Sequence, residues 1–395
     1  MSGWHDAVSR LACMLFFERV VLRHGERVPR EGPVLFLGLH RNGAVDGFVY
    51  NTLLPGAVFL VSSQLRRSLL GRLFFTGIEV RRAKDAGEGP DAAEALARCA
   101  EVLKEGGRVF LFPEGTSSLG PRHLPLRSGP SRLLHSLQAT GVRVTVVPLS
   151  ILYDSPQRWR SSVEVVVAEP FEAGGPPEDL NTLRKKVADS LEDAAFEFDS
   201  ERNQESLQSL AVLLCRDGTL PYSEALRSLT LGFTAEDLSR WDSLRAEASS
   251  RGVLFYKGAP AWENPSSASR LRLALLALPS ALAAALNLPP LLAGAWAGRR
   301  FPDGPNVVAL WKILIGVPAF AAWALLLAAA ALIAGRADLF ILYSLATAAG
   351  LQCFAPAHKS AAAFWNALFH RSLMERVEDF RMDLFQSGAA RSEAP

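Results

Sequence analysis

The chain has 395 residues, enough for two or three domains, and its 42 basic and 40 acidic residues leave a net charge of +2. No Lys/Arg-rich tract with interleaved aromatics occurs, which argues against nucleic-acid binding. The 4 cysteines are scattered without a CxxC pair and the 7 histidines include no HxxxH pair; this spacing argues against a metal site and suits a reducing compartment.

The first segment, VSRLACMLFFERVVLRHGERVP, has Arg10, Glu18, Arg19 and Arg23 where a secretory signal would need an unbroken apolar core. Val8, Leu11, Leu15 and Val21, with Arg19, Arg23 and Arg27 beside them, predict an amphipathic helix over residues 1–24. Such a helix either lies in a membrane interface or packs on the domain that follows.

PVLFLGL (33–39) and AVFLVSS (57–63) are apolar runs bounded by turn residues and read as buried strands. A helix-like stretch at 64–75 leads to the short strand GIEVRR (77–82). Ala92, Leu96, Cys99 and Leu103 carry helical spacing over 91–104, stopped by Gly106 and Gly107. RVFLF (108–112) is a strand, 129–139 a helix, and 142–152 and 161–171 are two more strands. This alternation predicts an α/β domain over 25–200, a mainly parallel sheet flanked by helices. Residues 201–270 read as a helical connector in which Thr234 and Asp237 form a capping pair.

The stretches 273–298, 313–334 and 339–357 are uncharged and dominated by Leu and Ala. A helix crossing a bilayer needs roughly 20 apolar residues, so 271–358 is expected to be a membrane-helix region, followed by an amphipathic tail at 359–395. Pro279, Pro289 and Pro290 predict a broken or re-entrant first segment. The second and third are expected to form a tight hairpin turned at 335–338. Arg299, Arg300 and Lys312 place the intervening loop, and with it the catalytic part, on the cytoplasmic side.

In open α/β sheets, function gathers at the carboxyl ends of strands. Those ends carry His40, then Arg81 and Arg82, then Pro113, Glu114, Gly115 and Thr116. Gly43 and Gly47 permit a tight path that returns Asp46 to the imidazole of His40. A carboxylate on one ring nitrogen fixes the tautomer and supports the imidazolium formed when the other takes a proton. No serine or cysteine shares that stretch, so His40 is expected to act as a general base on a substrate hydroxyl. A guanidinium after a strand and a hydroxyl-bearing glycine turn, FPEGTSS (112–118), both suit an anion.

With these blocks in view, residues 25–175 resemble the glycerolipid (PlsC-like) acyltransferases. His40 and Asp46, IEVRRAKD (78–85), FPEGTSS (112–118) and VVPLSI (146–151) stand in that family's order, with LPLRSG (124–129) as its basic stretch. Arg41, Asn42, Gly43, Ala44 and Val45 make five intervening residues where the family more often has four. This spacing is similar to the branch that includes fungal glycerol-3-phosphate and dihydroxyacetone-phosphate acyltransferases.

The resemblance implies transfer of a fatty acyl group from acyl-CoA or acyl-carrier protein to a hydroxyl of glycerol-3-phosphate, without an acyl-enzyme, cofactor or metal. It implies His40 and Asp46 as catalytic residues. Arg82, Glu114, Gly115, Thr116 and Arg127 would bind the acceptor phosphate, Pro148 would lie beside the acyl donor, and membrane lipid would be the partner. The alternatives are 1-acyl-glycerol-3-phosphate as acceptor, thioester hydrolysis, and a non-catalytic lipid-binding membrane protein.

Overall fold

The computed structural model describes residues 3–81, 90–174, 178–264 and 266–392, with side chains as far as 385. Two compact units are present, Met1–Glu197 with Gly298–Leu314, and Phe198–Ala297 with Ile315–Pro395.

The first unit runs α1 (Gly3–Phe16), β1 (Phe17–Arg23), β2 (Val34–Gly38), α2 (Val45–Leu53), β3 (Ala57–Ser62), α3 (Leu69–Phe74) and β4 (Ile78–Val80). It continues as α4 (Ala92–Lys104), β5 (Arg108–Leu111), α5 (Gly129–Gln138), β6 (Val144–Tyr153), β7 (Ser161–Val167), β8 (Phe171–Ala173) and α6 (Leu180–Ala194). The strands form one sheet in the order β1-β7-β6-β2-β5-β3-β4, with β8 also on β6. From β6 to β4 all neighbours are parallel, whereas β7 and β8 run antiparallel to β6. The α/β architecture expected from the sequence is therefore present.

Every residue of β2 is buried, as a parallel strand covered on both faces requires. Leu35, Leu37 and Leu39 face Cys99 and Leu103 of α4, Leu133 and Leu137 of α5, and Leu183 of α6. Phe36 points the other way, where its ring stacks at 6.3 Å on Phe110, which in turn meets Tyr50 of α2 at 4.5 Å. Gly38 leaves the space these rings fill, since a Cβ there would lie 2.3 Å from Phe110 Cζ. Each such buried side chain contributes about 1.5–3 kcal/mol, so the loop leaving β2 starts from a fixed base.

The single amphipathic helix expected over 1–24 is instead a helix and a strand. Val20, Val21 and Leu22 suit a pleated edge, and β7 offers them a parallel ladder from Phe17 to Arg23. Arg23 seals that edge through a 2.8 Å ion pair with Glu164.

The second unit contains α7 (Glu201–Leu214), α8 (Tyr222–Gly232), α9 (Ala235–Ser250), a short ribbon of β9 (Phe255–Tyr256) and β10 (Ala259–Pro260), and α10 (Ser267–Leu286). Next come α11 (Leu288–Arg300) and α12 (Val308–Ile333), between which the chain returns to the first unit, then α13 (Ala337–Phe369) and α14 (Arg371–Ser392). Trp241 is its largest fully buried side chain, stacked on Phe380 at 5.9 Å and donating Nε1–H to Ser206 O and Ser209 Oγ. The expected Thr234 cap is formed, accepting from Asp237 N at 3.1 Å.

Ser267–Leu286, Pro305–Ile333 and Ala337–Phe369 are each long and apolar enough to cross a membrane. Leu275, Leu278, Leu325, Ile333, Ile341 and Leu345 on these helices are exposed, the surface expected where lipid rather than water is the solvent. This apolar surface associates the C-terminal region with a membrane. The first apolar stretch is broken, with α10 ending at Asn287 before Pro289 and Pro290 begin α11. The expected hairpin of the second and third stretches does not form, because α13 packs along α10 rather than α12. Gly350 sets that pairing: a Cβ there would come within 2.0 Å of Ala283 Cβ, so two backbones approach as small residues in lipid allow.

Candidate functional site

β5, β2 and β6 are adjacent and parallel, so their carboxyl ends bring three loops together. His40 stands two residues beyond β2, Glu114 lies in the turn after β5, and Tyr153 closes β6.

The His40 imidazole is 13% exposed and lies over the Phe112 ring, with centroids 4.0 Å apart and planes at 23°. Its Nδ1 is 2.8 Å from Asp46 Oδ2, in the first turn of α2. Asp46 is fully buried, and burying a carboxylate is costly unless its lone pairs are used. They are used: Arg41 N and Asn42 N also donate to Oδ2, at 2.6 and 2.9 Å, and Tyr153 OH donates to Oδ1 at 2.6 Å. Gly43, at φ +57°, makes the turn that lets one carboxylate receive both amides and the ring. Burial, and then the adjacent carboxylate, push the Tyr153 phenol well above its usual pKa, so it remains a donor. With Asp46 on Nδ1, Nε2 is the nitrogen able to exchange a proton with a ligand.

Glu114 is also buried, and both its oxygens are taken by backbone. Oε2 accepts from His40 N at 2.6 Å and Oε1 from Leu124 N at 2.9 Å. His123 Nδ1 stands 3.6 Å from Oε1. Glu114 thus braces the His40 loop from behind, and Ser118 N completes the joint by donating to His40 O at 3.1 Å.

Gly115 has φ +70°, and its amide is spent inside the turn on Phe112 O at 3.0 Å. A Cβ at Gly115 would lie 2.7 Å from Arg127 Nε. The glycine therefore lets the exposed guanidinium of Arg127 lie across the turn, where Nε donates to Glu114 O at 3.3 Å. Half-buried Thr116 follows directly. A cation beside a hydroxyl-bearing turn is a suitable seat for an anion.

Arg82 lies outside the described residues; Arg81, just before it, is exposed and its N–H donates to Pro90 O at 2.8 Å. β4, which precedes them, is three strands from β2, on the order of 14 Å at ordinary strand spacing. Pro148 is buried inside β6, level with Leu37 of β2, and its carbonyl accepts from Ala168 N at 3.0 Å.

The structure thus gathers His40, Asp46, Glu114, Gly115, Thr116 and Arg127 at one end of the sheet. Sequence reasoning missed Tyr153, and also Arg41, buried beside His40 with NH2 donating to Gly120 O at 2.7 Å. Burial lowers the Arg41 pKa, opposed by the nearby Glu114, Asp46 and Glu197 carboxylates. Among the described residues, no group of three His, Cys, Asp or Glu side chains is placed to hold a metal ion.

Comparison with solved structures gives a match to the 1-acyl-sn-glycerophosphate (LPA) acyltransferase PlsC from Thermotoga maritima, at 18% identity and a TM-score of 0.37, covering 48% of this chain and 78% of that one. No curated protein matches the chain. The family described as Acyltransferase matches residues 19–152, from within β1 almost to the end of β6, a span that contains His40, Asp46, Glu114, Gly115, Thr116 and Arg127 and stops one residue short of Tyr153. Over residues 19–152, the chain is therefore similar to the acyltransferase family.

Proposed function

We propose that the chain is a membrane-bound glycerolipid acyltransferase that moves a fatty acyl group from an acyl thioester to a hydroxyl of glycerol-3-phosphate. The observation that carries this reading is the 2.8 Å contact of His40 Nδ1 with Asp46, beside a turn crossed by the Arg127 guanidinium.

His40 Nε2 takes the proton of the acceptor hydroxyl as its oxygen attacks the thioester carbonyl carbon. The C–S bond then breaks, and the departing thiolate recovers the proton from the imidazolium, giving ester and thiol. Asp46 carries the charge opposite that imidazolium. Arg127, Thr116 and Arg82 hold the phosphate, Gly115 shapes the turn, and Glu114 sets the backbone of His40 rather than touching the anion. Fixing both reactants in this way removes several kcal/mol of the barrier, about 7–11 in ideal cases. Pro148 lies beside the donor.

An acyl-enzyme on Cys13 or Cys99 is disfavoured, because burial pushes both thiols up to about 12. No cofactor is required. Arg299, Arg300 and Lys312 fall in the segment that folds with the first unit, so the positive-inside rule favours a cytoplasmic site.

The test is an acceptor panel: purified full-length protein in lipid nanodiscs with labelled acyl-CoA or acyl-carrier protein. Glycerol-3-phosphate, dihydroxyacetone phosphate, 1-acyl-glycerol-3-phosphate or no acceptor would be added. Acylated glycerol-3-phosphate supports the reading. Product only from 1-acyl-glycerol-3-phosphate moves the enzyme to the next acylation, release of free fatty acid without acceptor makes it a hydrolase, and no turnover leaves a lipid binder.

Tyr153→Phe keeps the ring and leaves Asp46 Oδ1 without its donor. It is expected to cost about 1–3 kcal/mol of stability and to lower kcat while leaving both KM values near wild type. Thermal melts read beside initial rates check this; an unchanged midpoint and rate would remove Tyr153 from the proton-transfer assembly.

A further inference from the structure

The first unit includes Gly298–Leu314, which runs from the end of α11 through the connecting loop into the start of α12 and is remote in sequence from the other site residues. Its Asn306 reaches both site loops. Nδ2 donates to Ser117 Oγ at 2.6 Å and to Ser117 O at 3.1 Å, and the next residue, Ser118, is the one whose amide holds His40 O. On its other side Asn306 O lies over Gly43, where a Cβ would come within 2.7 Å. The segment is braced by itself and tied at a second point. Phe301 and Trp311 rings meet at 4.9 Å, and Lys312 lays its stem over Gly298 and donates to Gln157 O at 2.7 Å.

We propose that Asn306 is a positioning residue, which fastens this interhelical loop to the 115–118 turn and so holds the anion seat in register with His40. The proposal rests on the acyl-transfer reading for what the turn binds, though not for the clamp itself. The residue type suits the position, because an amide reaches both Ser117 acceptors with one nitrogen, whereas aspartate would set a carboxylate against the Ser117 carbonyl and beside the bound phosphate. Because α12 begins at Val308, two residues on, the clamp also links the anion turn to the start of an apolar helix long enough to cross a bilayer.

The experiment uses full-length Asn306→Ala, Ser117→Ala and the double variant in nanodiscs. Loss of the two bonds is expected to raise the acceptor KM on the order of fivefold to twentyfold, with the acyl-donor KM and the thermal midpoint near wild type. The double variant is expected to match the larger single effect rather than their product. Amide hydrogen exchange across 113–120 should quicken in Asn306→Ala, and glycerol-3-phosphate should slow it in the wild type. An equal rise in both KM values, a multiplicative double variant, or unchanged exchange across 113–120 overturns the proposal. If the wild type acylates no acceptor, the functional reading fails, while hydrogen exchange at 113–120 still decides the clamp.

Discussion

His40→Ala is expected to lower acyl transfer about a thousandfold, within the range that a positioned general base supplies. The substitution removes little besides the ring. Glu114 is bonded to the backbone amide of residue 40 and Ser118 to its carbonyl, so both braces survive. Asp46 keeps the amides of Arg41 and Asn42 and the Tyr153 hydroxyl. The ring's stacking on Phe112 is lost, a contact of an already part-exposed group. The loss should therefore fall on kcat, with KM for the acceptor and the thermal midpoint close to wild type. Initial rates of purified variant and wild type in nanodiscs decide it: a variant within tenfold of wild type overturns the base assignment.

What the sequence made legible follows from how local each signal was. The strands of the parallel sheet are short apolar runs between glycines, prolines and helices, and the five from β2 to β6, three of which converge on the site, were readable at nearly their observed bounds. Phe17–Arg23 was not, because Val20, Val21 and Leu22 fit an amphipathic helix as well as an edge strand. Only the distant partner β7 decides between them. The α12–α13 hairpin failed for a related reason. A three-residue connection suggests adjacency, but Gly350 and Ala283 let α13 approach α10 more closely, a complementarity that hydropathy does not contain.

The site divides in the same way. The pairing of His40 with Asp46 was readable because the five intervening residues include Gly43, which makes the turn at positive φ. Tyr153 and Asn306 lie 107 and 189 positions from the atoms they bond, and no spacing rule reaches so far. Glu114 was placed on the acceptor because its block was read as a single anion-binding unit. The fold turns its carboxylate inward to the amides of residues 40 and 124, while Arg127 is exposed and Thr116 half-buried. A carboxylate beside a phosphate would repel it; one spent on backbone amides stiffens the turn without that cost.

Asp46→Asn separates the charge of the partner from its geometry. The carboxylate accepts three N–H groups on Oδ2 and one hydroxyl on Oδ1. An asparagine that keeps its oxygen in the Oδ2 position still receives Arg41 N, Asn42 N and His40 Nδ1–H, while its amide nitrogen turns to Tyr153, whose hydroxyl can accept. The flipped amide would point N–H groups at the two backbone amides and lose both bonds, so the first orientation prevails and the tautomer is preserved. The missing charge is then the main deficit. Opposite charges about 4 Å apart at an effective dielectric near 20 attract by about 4 kcal/mol, and losing that from a transition state with a forming imidazolium slows it close to a thousandfold. The expected result is a kcat reduced by two to three orders of magnitude, unchanged acceptor KM, and a fold weakened by only about 1–3 kcal/mol. Single-turnover rates and thermal melts measure the two effects separately. A variant retaining a tenth or more of wild-type kcat would mean that no imidazolium builds up beside residue 46, and proton transfer would have to be sought at another group.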